Sequence, residues 1–228
     1  MPLHAITSTY GEAGLRDRFA LEIAALPDAD RGRVRRALEL ASRLHASDRR
    51  QREPYLNHVL RVAIRILSYY RVTDPDVLCA ALLHDAVEDH AEELAPDGTR
   101  AGALAALRDA FGPRVATLVD AVTNPDYAPG SDHHEQYREH VSASLDTCPW
   151  ARVIKISDFT DNGVGLIHTT GPLMRRLAGK YAPLVPVLRE LIARPDTPLE
   201  PQAKDRILRQ LDQAAERFRA IGRQTAGY

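Results

Sequence analysis

Apolar residues recur at three- and four-residue intervals along almost the whole chain, and the strict alternation of a half-buried strand is nearly absent. The pattern predicts an all-α protein. A first helix is expected over 11–26, and a second from the capping residues Asp28-Ala29-Asp30 through Val34, Ala37, Leu38, Leu40, Ala41 and Leu44 to about His45. Ser47 to Glu53 is polar and dense in arginine, and Arg49 to Arg52 within it read equally as a solvated loop or, just before His58, as a phosphate contact. Pro54 then opens a third helix carrying Tyr55, Leu56, His58, Val59, Val62, Ala63, Ile66 and Leu67 to about Tyr70. Asp74 followed by Pro75 is a start signal for a central helix, with Asp74 as N-cap and Pro75 at its first position.

After a break at 95–98 the helical pattern resumes over 103–111 and 115–122. Residues 124–132, with Pro125, Pro129 and Gly130, form a loop long enough to lie over a site. Further helices are expected over 133–145, from 150 to about 167, over 172–192 and over 204–218, the last two separated by a proline-rich turn at 194–201. No internal repeat or low-complexity segment interrupts this order.

The chemistry concentrates in Ala80-Ala81-Leu82-Leu83-His84-Asp85-Ala86-Val87-Glu88-Asp89, where four polar residues sit inside an apolar run. On one continuous helix His84 would stack over Glu88 and Asp85 over Asp89, because residues four apart share a face. Burying such a group is costly unless a divalent metal offsets its charge. His58 precedes it on an apolar helix face, and Asp158 follows among Ile154, Ile156 and Phe159. Singly, His58 reads as a hydrogen-bonded core histidine and Asp158 as a capping or salt-bridging residue; together the four read as one site. Two imidazoles and two carboxylates suit Mn²⁺, Fe²⁺ or Zn²⁺ with positions left open for water, which Glu88 and Asp89 would orient while shuttling its proton.

Composition narrows the setting. A chain of 228 residues, 44% hydrophobic and 27% charged, is ordinary for a globular protein and long enough for one large domain or two small ones, of which one domain is expected. The net charge of −1 gives no global attraction to nucleic acid or anionic membrane, so an anionic substrate must be met by local charge. No apolar stretch reaches the length of a membrane span, and the start lacks a basic segment followed by an apolar core, so a cytoplasmic protein is expected. Cys79 and Cys148 fall in no metal or redox spacing and are expected to be reduced and structural.

The motifs Glu53-Pro54-Tyr55-Leu56-Asn57-His58, Ala80 to Asp89, and Ile154-Lys155-Ile156-Ser157-Asp158 with Asn162 resemble the hydrolase domain of RelA/SpoT-type alarmone enzymes, a branch of the HD phosphohydrolase superfamily. The likeness runs from about 37 to 191 and includes Leu118-Val119-Asp120-Ala121-Val122-Thr123. It implies a single HD-domain helical bundle over 31–193, with an N-terminal extension over 1–30 and a C-terminal linker and helix over 194–228 packed on the same domain. It implies that His58, His84, Asp85 and Asp158 hold Mn²⁺, and that Glu88 and Asp89 activate water for attack on the 3′-pyrophosphate of (p)ppGpp, giving GDP or GTP and pyrophosphate. Asn162 matches a substrate-contacting asparagine, and Lys155, in the same motif, is grouped with it. Arg49 and Arg50 fall where the family places basic residues against the guanine and its phosphates. Tyr55 and Tyr181 match aromatics that pack on the nucleotide.

No synthetase-like segment follows, so the chain resembles the stand-alone small alarmone hydrolases. It departs from them at Asp132-His133-His134-Glu135, where lysines and arginines are usual, and at Phe159-Thr160-Asp161, both changes making the expected pocket less positive. Two other functions compete: a metal-dependent phosphohydrolase of another nucleotide, and an antitoxin neutralising a toxic small alarmone synthetase. The expected partners are a small-molecule nucleotide and a cognate toxin synthetase, not nucleic acid or membrane.

Overall fold

The computed structural model describes residues 2–50, 53–124, 133–163, 165 and 171–225, and the chain falls into two compact units, Met1–Thr123 and Asn124–Tyr228. Helices dominate both, as the periodicity predicts. Among the described residues the sole β-structure is a two-stranded ladder in the first unit. No helix among them is long and apolar enough to cross a membrane.

In the first unit, α1 (Leu3–Ile23) begins earlier than the pattern predicts and kinks at Gly11, whose φ of 64° a residue without Cβ adopts at little cost. The kink resets the helical period, which is why the apolar residues before it do not continue the later stripe. α2 (Asp28–Leu44) takes Pro27 as its N-cap and carries Asp28 and Asp30 in the first turn, where they complement the helix dipole instead of capping it. The arginine-rich segment is not wholly a loop: β1 (Arg49–Arg50) pairs antiparallel with β2 (Glu53–Pro54). Pro54 therefore sits in the ladder, and α3 (Leu56–Ile64) begins only after Tyr55.

Every residue of α3 is buried, which makes it the axis of the unit. Arg61 is 1% exposed and holds both oxygens of Glu53 at 2.7 and 2.8 Å, bolting the ladder to this helix through a bidentate pair. α3 runs on as a π-helical turn over Arg65–Tyr69 and stops before Arg71, a left-handed residue at φ 57°.

α4 (Pro75–Leu82) starts as its sequence predicts. Asp74 accepts from the amides of Asp76 (3.0 Å) and Val77 (3.4 Å), and also pairs with both terminal nitrogens of Arg114 on α8 (Pro113–Val122). Burial pushes Asp74 up, but the Arg114 bonds and helix amides outweigh it and hold its carboxyl below the ordinary 3.8. A depressed carboxylate contributes stability that is present above its ordinary pKa and lost as pH falls through the folded value. Asp74→Ala is therefore expected to cost about 1–2 kcal/mol of unfolding free energy at neutral pH, mostly from the cap, since the exposed arginine pair adds little. Denaturant titrations at several pH values should show the deficit shrinking below about pH 4.

The unit is completed by α5 (Ala86–Asp89), α6 (Ala91–Leu94) and α7 (Arg100–Phe111). Cys79, buried in α4, has its thiol pushed up to about 12 by burial, so it stays protonated and inert as expected.

The second unit comprises α9 (His133–Thr147), α10 (Pro149–Asn162), α11 (Gly171–Tyr181), α12 (Leu184–Ala193) and α13 (Pro201–Thr225). The single helix expected over 172–192 is two, because Pro183 cannot continue α11 and instead takes the N-cap position of α12. Fully buried Arg152 bonds to the carbonyls of Leu145 and Asp146 and to Asp196 and Thr197, pinning the proline-rich turn between α12 and α13. α10 ends at Asn162, and residues 164, 166 and 167 of its expected continuation lie outside the described residues, as do 125–132 of the expected covering loop.

Candidate active site

The central run is not one helix. α4 stops at Leu82, Leu83 takes a non-helical conformation at φ −112° and ψ 11°, and α5 restarts with Asp85 as its N-cap. His84 therefore belongs to neither helix, and the continuous helix that would stack it over Glu88 is interrupted. Asp85 keeps its relation to Asp89, whose amide donates to the Asp85 carbonyl at 2.9 Å.

The break has a chemical result. His84 Nδ1 lies 2.9 Å from the carbonyl of Ala81, which can only accept, so Nδ1 carries the proton and Nε2 offers a lone pair. That Nε2 lies 3.3 Å from His58 Nε2, and Asp85 Oδ2 lies 2.9 Å from His84 Nε2 and 3.7 Å from His58 Nε2. Three donor atoms thus converge on one point, with a backbone carbonyl fixing one imidazole as metal sites ordinarily require. Burial alone would raise Asp85, but His84, His58 and the Tyr55 hydroxyl outweigh it and hold its carboxyl well below the usual range. Tyr55 donates to Asp85 Oδ2 at 2.6 Å and meets His58 edge to face. This donor set can hold a divalent metal ion.

Glu88 and Asp89 are exposed on α5, the next turn after Asp85. Although Asp89 keeps an exposed surface, partial desolvation of its carboxyl, then the neighbouring charges of Asp85 and Glu88, push its pKa up to about 6, so it can carry a proton near neutrality. Arg49 and Arg50 form β1, with the Arg50 guanidinium 5.7 Å from the Tyr55 ring centroid.

A second group of histidines and a carboxylate lies in the same unit. His45 Nδ1 and His90 Nε2 are each 2.7 Å from Asp48 Oδ2 and 3.1 Å from each other, and His90 Nδ1 lies 3.2 Å from Glu93 Oε1. His45 also stacks on Tyr55, ring centroids 4.8 Å apart. Burial raises Asp48 but the bonds to His45 and His90 lower it further; burial holds His45 low, and Asp48 and Glu93 more than offset burial at His90 and raise it. In the chain order His45 reads as a helix end and Asp48 as loop, and neither is expected at a site. Their signal is a pair of three-residue spacings, His45 to Asp48 and His90 to Glu93, but nothing in the chain order joins them.

The remaining predicted site residues lie in the second unit. On α10, Lys155 Nζ is 3.1 Å from Asp158 Oδ2, and Asn162 donates to Asp158 Oδ1. Asp158 is buried, as expected. Tyr181 on α11 packs its ring edge to face with Phe159, centroids 5.7 Å apart, and Lys180 lies over the rings of both Tyr137 and Tyr181. Trp150, at the second position of α10, is half-buried.

Comparison with known proteins gives this geometry a context. Residues 37–148 match the HD domain family. The guanosine-3′,5′-bis(diphosphate) 3′-pyrophosphohydrolase of Aquifex aeolicus is 31% identical over 68% of this chain and 20% of its own length. The proteins of that name called MESH1 are 36% identical in Homo sapiens, over 54% of this chain and 63% of theirs, and 31% identical in Xenopus tropicalis, over 57% and 67%. The chain thus spans a fifth of that bacterial relative's length and 63–67% of these two animal ones. A solved structure described as a metazoan ortholog of SpoT that hydrolyzes ppGpp has the same fold, with a TM-score of 0.62 at 24% identity over 85% of this chain and 97% of that one. With the family profile over 37–148 and a 31% identical relative matched over 67% of its length, the chain belongs to the HD-domain family, in the group that includes the MESH1 proteins.

Proposed function

We propose that the protein is a cytoplasmic, metal-dependent 3′-pyrophosphohydrolase of guanosine alarmones, converting (p)ppGpp to GDP or GTP and pyrophosphate. The observation that carries the reading is the convergence of His58, His84 and Asp85 on one point, with two carboxylates following on α5, in a chain of this family. We assign Asp158 as the fourth ligand from its motif, and Mn²⁺ as the ion; the mixed imidazole and carboxylate set suits it.

When bound, such an ion polarises phosphoryl oxygens and lowers the pKa of water. The protein's own groups do the rest. Tyr55 fixes Asp85 through its hydroxyl, and the Ala81 carbonyl fixes the tautomer of His84. Glu88 orients a water and accepts its proton as the oxygen bonds to the phosphorus attached to O3′. The O3′–P bond breaks, and the departing O3′ takes a proton, for which Asp89, its pKa pushed up to about 6, is the donor. We assign the grip on the nucleotide to Arg49, Arg50 and Tyr55, the Arg50 guanidinium lying over the Tyr55 ring, and, from their motifs alone, to Lys155, Asn162 and Tyr181.

The test is turnover of a nucleotide panel by purified protein with Mn²⁺. Release of pyrophosphate from ppGpp and pppGpp is expected. Release only of inorganic phosphate from other 2′- or 3′-phosphorylated nucleotides would overturn the substrate assignment. Within it, replacing Arg49 and Arg50 together by alanine removes charge-assisted hydrogen bonds of roughly 1.5–3 kcal/mol each. KM for ppGpp should rise at least about tenfold with kcat little changed, since these groups grip ground state and transition state alike. An unaltered KM would place the nucleotide elsewhere.

A further inference from the structure

We propose that His45, Asp48 and His90 form a second metal site, distinct from the His58–His84–Asp85 centre and suited to Zn²⁺ or a similar transition-metal ion. The two imidazole nitrogens and one carboxylate oxygen make a triangle with sides of 2.7, 2.7 and 3.1 Å. An ion at the usual Zn–N and Zn–O distances of about 2.0–2.2 Å can reach all three from just off their plane.

Protons do not explain this geometry as well as a cation does. Each ring nitrogen carries at most one hydrogen. If both donate to Asp48, two N–H groups face each other across 3.1 Å; if one donates to the other ring, the second presents its lone pair to an ionised carboxylate at 2.7 Å. With Asp48 ionised, one cation makes all three contacts attractive.

The surroundings also fit. Glu93 Oε1 accepts a hydrogen bond from His90 Nδ1–H, which leaves Nε2 as the ligand, the carboxylate–histidine pairing that commonly backs a metal-bound imidazole. His45 is buried, its Nε2 has no hydrogen-bond partner, and its other nitrogen turns into the cluster. The Asp48 side chain is 29% exposed, so water can complete the coordination. Such an ion would tie the residue before β1, whose carbonyl accepts from Tyr55 at 3.1 Å, to the end of α5. It would thereby brace the hairpin that carries Arg49 and Arg50.

The experiment is metal stoichiometry on the full chain, stripped with chelator and titrated with Zn²⁺ against a chromophoric competitor, then with Co²⁺ followed by visible absorption. Wild type should take two equivalents. Asp48→Asn, which keeps size, and His90→Ala should each leave one, His84→Ala should leave the other, and Asp48→Asn with His84→Ala should leave none. Glu93→Gln should weaken only the second equivalent, by about ten- to a hundredfold. A single equivalent in wild type that survives Asp48→Asn and is lost in His84→Ala would overturn this proposal and leave the proposed activity standing. A single equivalent with the opposite response would support this site and remove the metal from the HD centre. Two equivalents retained in both Asp48→Asn and His90→Ala would also defeat it.

Discussion

His84→Ala is expected to abolish metal binding at the HD centre and to lower turnover of ppGpp by at least about a thousandfold. The loss follows from geometry. His84 Nε2 is the atom closest to both other donors of this unit, 3.3 Å from His58 Nε2 and 2.9 Å from Asp85 Oδ2, so its removal leaves the other two 3.7 Å apart with no donor between them. A metal supplies several kcal/mol of charge stabilisation in phosphoryl chemistry, and about 1.4 kcal/mol is a factor of ten in rate. The same ion stabilises the fold, because it binds the native state only; at a hundred times its Kd the effect is about 2.7 kcal/mol. Chelation should thus lower the Tm of wild type, and less so that of His84→Ala. Metal content is to be measured beside the melt, and full occupancy in the variant would sink the assignment of His84 as a ligand.

The second large effect separates catalysis from binding. In Glu88→Gln the side chain keeps its size and most of its hydrogen bonding but can no longer accept a proton, so kcat should fall by roughly a hundredfold or more. Metal content and KM should stay near wild type, since Glu88 belongs to neither the ligand set nor the nucleotide grip. Its position in α5, whose first residue follows Asp85 of the proposed ligand set, motivates the expectation. Turnover that is unchanged, or that falls only together with metal content, would make Glu88 a structural residue.

Both predictions start from residues that were visible in the chain order. The apolar periodicity marked helices throughout, Asp74-Pro75 marked the start of α4, and the three motifs marked the family together with His58, His84, Asp85, Glu88 and Asp89. These signals are local: a cap is a contact within three residues, and a stripe is a property of one helix. Other features were legible less completely. The segment from 80 to 89 reads as continuous helix because its apolar residues permit one, and nothing in their order shows that Leu83 leaves the helical conformation. Pro183 does carry a break signal, yet the apolar period on either side of it concealed two helices as one.

What the sequence determined by itself, then, was the helical class, most helix positions, the family, and the residue types at its centre. Tertiary structure decided how those residues meet. His84 presents the lone pair of Nε2 only because the broken helix end brings Nδ1 to the Ala81 carbonyl, and its neighbour His58 arrives from a helix 26 positions earlier. The His45–Asp48–His90 cluster depends still more on folding, because His90 is 45 residues from His45 and 42 from Asp48. Periodicity and capping act over one or two turns, whereas three lone pairs meet at one point only after whole helices have packed, and that packing is a property of the buried surfaces together.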